Sequence, residues 1–116
     1  MAHIEDDATF ERYMEVISKI PSIDTDNARE TILAQLLKEP RDYARACREE
    51  LARRGLGVSV QEVVSTGHRL SVYRQLVTRH AVGLLVMHTR DEDQLAMHGL
   101  AYPLAVELRH IPLLLV

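Results

Sequence analysis

The hydrophobic positions of the chain change their period once, near residue 55, and the change divides the sequence in two. Before it the apolar residues recur every three or four positions, the spacing of one helix face. Phe10, Tyr13, Met14, Ile17 and Ile20 predict a helix from about Thr9 to Ile20, capped by Asp6 or Asp7 and ended by Pro21. Ser22–Asn27 is polar and turn-like. Asn27 and Glu30 form a candidate capping box for a second helix with Ile32, Leu33, Leu36 and Leu37 on its apolar stripe. Pro40 either breaks that helix or opens the next at its first position. A third helix carries Tyr43, Ala44, Cys47 and Leu51 and stops at Arg53-Arg54-Gly55, with cations at the negative helix end and glycine as the left-handed terminator. The only strand candidate in this half is a stub, Met1–Ile4.

Beyond Gly55 the pattern is that of alternating strands and helices. Val58-Ser59-Val60 with Val63-Val64 reads as a strand, Thr66-Gly67 as a turn, and the next segment as a helix with Val72, Tyr73, Leu76 and Val77 inward. Val82–Met87 is an uninterrupted apolar run, the signature of a parallel strand covered on both faces. The polar stretch Arg90–Gln94 leads to a helix bearing Leu104, Ala105 and Leu108, with Pro103 near its start, and Ile111–Val116 forms a closing strand. The expected fold class is α/β: a short parallel sheet flanked by helices, made by strand–helix–strand–helix–strand over 56–116 and preceded by a helical segment over 1–55. With 116 residues, one domain is expected.

Composition narrows the function classes. The hydrophobic fraction of 47% and charged fraction of 27% are those of an ordinary globular chain, and a net charge of −3 gives no basis for a nucleic-acid partner. No apolar run reaches membrane-spanning length, so direct membrane insertion is not expected, and no leader pattern marks the chain for export. One cysteine, Cys47, rules out an internal disulfide and fits a reducing, cytoplasmic setting. Its place on an apolar stripe reads as core packing and not as a nucleophile. Ser59, Ser65 and Ser71 lack a nucleophile-elbow context, so no catalytic residue is expected. His88 and His98 flank Asp91 and Asp93, but no pair has a helical metal-ligand spacing and no metal is expected. Arg41, Arg45, Arg48, Arg53 and Arg54 give the third helix a basic face interrupted by Glu49 and Glu50, which reads as solvated or as a dock for an acidic partner.

Three segments of 56–116 carry a family likeness: Leu84-Leu85-Val86-Met87-His88-Thr89, then Gly99-Leu100, then Ile111-Pro112-Leu113-Leu114-Leu115-Val116. In order and spacing they resemble the C-terminal half of the universal stress proteins (UspA-like). Nucleotide-binding members carry Gly-x-x-Gly and then Gly-Ser/Thr, whose backbone N–H groups receive phosphates. Here Arg90-Asp91-Glu92-Asp93-Gln94 stands in place of the glycines and Leu100 in place of the hydroxyl. The resemblance therefore implies an incomplete UspA-like domain, lacking the family's first strand–helix–strand and the Asp that the first strand supplies. Two explanations fit: a fragment of a longer polypeptide, or a sheet completed by direct pairing or by a second copy. The implied function is a non-enzymatic regulatory or interaction module without ATP or another cofactor. The expected assembly, which the resemblance also implies, is a homodimer through Ile111, Leu113, Leu114, Leu115 and Val116. Two alternatives stand beside it. One is a cytoplasmic ligand-sensing domain of a transporter or other larger protein, with a pocket near Thr66, Met87, His88, Thr89 and Gly99 at the strand ends. The other is a residual nucleotide-binding stress protein.

Overall fold

The structure is a computed structural model and describes residues 1–88 and 100–116. The chain forms two compact units, Met1–His68 and Arg69–Val116. The described elements run β1 (Ala2–Asp6), α1 (Asp7–Ser18), α2 (Thr25–Arg53), β2 (Val63–Gly67), α3 (Arg69–Arg79), β3 (Leu85–Met87), α4 (Ala101–Glu107) and β4 (Leu113–Leu115). The α/β class and the parallel pairing agree with expectation. The single sheet does not: β1 pairs with β2, and β3 with β4, in two separate two-stranded parallel sheets.

In the first unit the candidate stub Met1–Ile4 is a strand, Ala2–Asp6, longer than expected. Its register runs from Ala2↔Val63 to Asp6↔Gly67. The terminal amino group donates to the Gln61 carbonyl at 2.7 Å, and the Val63 N–H donates to the Met1 carbonyl at 2.9 Å. Because the ladder begins at Val63, Val58–Val60 falls outside it and is not a strand, while Thr66 and Gly67 end β2 instead of forming a turn. Ile4 is 1% exposed and is buried, as are Phe10 and Met14 of α1 and Leu37 and Ala44 of α2. Both helices contact both strands and each other, so they cover one face of the sheet.

Asp6 caps α1 as expected: its carboxylate accepts from the Thr9 N–H at 3.1 Å and from the Thr9 hydroxyl at 2.7 Å. For α2 the cap is Asp24, which accepts from the N–H groups of Asp26 and Asn27, and not Asn27 itself. The two helices expected on either side of Pro40 are one helix of 29 residues with the proline inside it. A proline there forfeits one helical hydrogen bond and costs about 3 kcal/mol relative to alanine. Buried Leu37 and Ala44, one on each side of it, anchor both halves of the helix to the same core, and that burial offsets the local cost. The helix ends as the sequence predicts. Gly55 has φ 69°, its N–H donates to Ala52, and the Leu56 N–H reaches back to Leu51 at 3.1 Å, a Schellman closure.

The second unit packs Val77 of α3 with Leu104 of α4 and Leu108, the residue that follows α4, into a buried cluster. Leu70, Tyr73, Val82, Leu85, Met87, Leu100 and Ile111 pack against it. Arg74 of α3 lies 3.4 Å from Glu107 of α4. Pro103 occupies the third position of α4, where an N–H has no intrahelical acceptor to lose, and the Leu104 N–H makes its regular bond to Leu100 at 3.1 Å. The end of α3 repeats the Schellman pattern of α2: Ala81 N–H to Thr78, and Val82 N–H to Val77. The left-handed residue is here Ala81, with φ 48°, where its Cβ is crowded by the backbone.

Two outcomes follow from this packing. Leu104→Ala removes a side chain that is 1% exposed and is expected to lower unfolding free energy by about 2–5 kcal/mol, read from urea denaturation. Ala81→Gly relieves the left-handed strain and is expected to raise stability by up to about 1 kcal/mol after glycine's entropy cost. A loss of stability in Ala81→Gly would show that the left-handed conformation carries no strain.

Candidate functional site

The surface with the most distinctive chemistry is the outward face of the β3–β4 sheet. In a strand, alternate side chains point to opposite faces, and in a parallel ladder paired residues share a face. The register pairs Leu85 with Leu113, Val86 with Leu114, and Met87 with Leu115. Leu85 and Met87 pack inward on the helix cluster. Val86 and Leu114 therefore point away from it, together with the flanking Leu84 and Val116. These four are 52%, 48%, 51% and 58% exposed. The ladder extends one bond past each end, from Leu85 N–H to the Pro112 carbonyl at 3.0 Å and from Val116 N–H to the Met87 carbonyl at 2.9 Å. Among the described residues, the result is a short, wholly aliphatic face with a backbone edge on β4.

Of the residues expected at the terminal-strand interface, Leu114, Leu115 and Val116 are exposed and Leu113 is half-buried. Ile111 packs inward against the Val77–Leu104–Leu108 cluster. Val86 of the neighbouring strand and Leu84, which flanks it, join Leu114 and Val116 on this face. Their signal was present in the Val82–Met87 run, but that run was read as a strand covered on both sides.

The positions expected to line a ligand pocket are distributed over both units. Thr66 sits near the end of β2, opposite Glu5 of β1, in the first unit. Met87 ends β3 and packs on the second unit's core, and His88 follows it, exposed. Thr89 and Gly99 lie outside the described residues, as do the acidic stretch Arg90–Gln94 and His98. Among the described residues, no cluster of three or more His, Cys, Asp or Glu side chains is placed to hold a metal ion. No described helix is long and apolar enough to cross a membrane.

The first unit presents a different surface. On the side of its sheet opposite Ile4, the register places His3, Glu5, Val64 and Thr66 together, and His3 Nε2 lies 3.2 Å from Glu5 Oε2. The basic face of α2 is largely matched by acids: Arg45 lies 3.7 Å from Asp42, Arg48 lies 2.9 Å from Glu62, and Arg53 and Arg54 both bond Glu50. These pairs hold Glu50 below the usual carboxylate range, chiefly through the Arg53 hydrogen bond, and Lys38 does the same for Asp42. Between α1 and α2, Arg29 forks onto Glu11 at 2.6 and 2.8 Å, lowering the Glu11 pKa, while its guanidinium lies 5.5 Å from the Phe10 ring centre. Cys47 is half-buried.

No protein-family model, curated protein or solved structure matches the chain.

The Glu11–Arg29 fork has a defined pH signature. Glu11 titrates lower in the folded chain than in the unfolded one, so its contribution is fully present above the ordinary glutamate pKa of about 4.3. It is lost as pH falls through the depressed folded value. Glu11→Gln is therefore expected to be less stable than the parent at neutral pH, with the difference shrinking on acidification. Melting curves at a series of pH values test this, and a difference that does not vary with pH would rule it out.

Proposed function

We propose that the chain is a universal stress protein-like interaction or regulatory module, non-enzymatic and without a nucleotide cofactor, that works as a homodimer through its terminal strand. The observation that carries this reading is the exposed aliphatic face of Leu84, Val86, Leu114 and Val116 beside the edge of β4. An open strand edge with uncovered apolar side chains is a template for another strand. A second copy is the natural occupant, because a twofold axis beside β4 would pair the same short aliphatic segment with itself. The sequence resemblance over 56–116 implies the same interface. The absence of ATP from this proposal rests on Arg90–Gln94, where three carboxylates and side-chain-bearing residues replace the glycines that a phosphate cradle uses.

Sedimentation velocity over a range of concentrations is expected to show a dimer for the parent chain and a monomer for Leu114→Glu. Leu114 is half exposed, so the variant is expected to keep its far-ultraviolet circular dichroism. A parent chain that stays monomeric at every concentration would overturn the homodimer. A dimer that survives Leu114→Glu would move the interface away from this face.

Nucleotide dependence is tested separately by thermal unfolding with and without saturating ATP or AMP. A ligand at a hundred times its dissociation constant stabilises the folded state by about 2.7 kcal/mol, which displaces the midpoint by several degrees in a chain of this size. No displacement is expected, and a clear one would favour the residual nucleotide-binding alternative.

A further inference from the structure

We draw no further inference here: the strongest candidate, the shallow apolar groove along the C-terminal half of α2 lined by Tyr43, Cys47, Leu51 and Leu56, is an unpartnered helix face, and nothing in the structure shows what covers it.

Discussion

Parallel strand pairing is the constraint on which the rest of this structure depends. Two parallel neighbours cannot be joined by a tight turn, so the chain must travel back along the strands before the second can begin. Between Asp6 and Val63 that return is made by α1 and α2; between Met87 and Leu113 the described part of it is α4. In the first unit the returning helices pack on one face of the pair, and in the second α3 and α4 share a single cluster with β3. Burial of Ile4 against one set, and of Leu85 and Met87 against the other, fixes which residues of each strand point inward. The period of two then dictates what the opposite faces present.

Those opposite faces differ, and the difference directs attention to the second unit. On β1–β2 the face away from the helices carries His3, Glu5 and Thr66 beside Val64, a mixed surface that water can solvate. On β3–β4 the corresponding face is Leu84, Val86, Leu114 and Val116. Strand edges in stable proteins are commonly blunted by charge, and β1 has His3, Glu5 and Asp6 for this purpose. Neither Leu85–Met87 nor Leu113–Leu115 contains a charged residue. The two sheets thus share a topology but not a surface chemistry.

The legible parts of the fold were those where a local pattern carried the whole signal. The Asp6 cap needs one carboxylate and the N–H groups just beyond it. Gly55 closes α2 because a left-handed residue is required there and glycine adopts it without strain. The α/β class followed from the order of apolar segments, and Leu104 and Leu108 were found by helical spacing. The failures have long-range causes. β1 contains one large aliphatic residue, Ile4, too little to show alternation, and its pairing with β2 is a contact between distant parts of the sequence. β2 pairs with β1, so the three strands expected from 56 onward do not form one sheet. Pro40 was read by its local cost, whereas Leu37 and Ala44 bind both sides of it to one core. At Ala81 the backbone adopts the conformation of a glycine with no glycine in the sequence to announce it. Of the candidate face, the closing strand is legible in the sequence, whereas the apolar run containing Leu84 and Val86 reads as a covered strand.

The Val82–Met87 run is informative about the candidate site itself. A continuous apolar run is written into a sequence when both faces of a strand are shielded from water, and Val82–Met87 has that composition. Among the described residues of its own unit, the strand is packed on the inward side and half exposed on the other. Exposure of about half of each of four neighbouring aliphatic side chains leaves substantial stabilisation unrealised, since burial contributes roughly 25 cal/mol per Å² of apolar surface. The composition of the strand and its environment within the unit therefore disagree, and a second copy pairing at β4, as proposed, would set another strand beside Leu114. Under the proposed homodimer a charged residue at Leu114 acts on the outward face, because Leu85 and Met87, which pack against the Val77–Leu104–Leu108 cluster, are untouched by it.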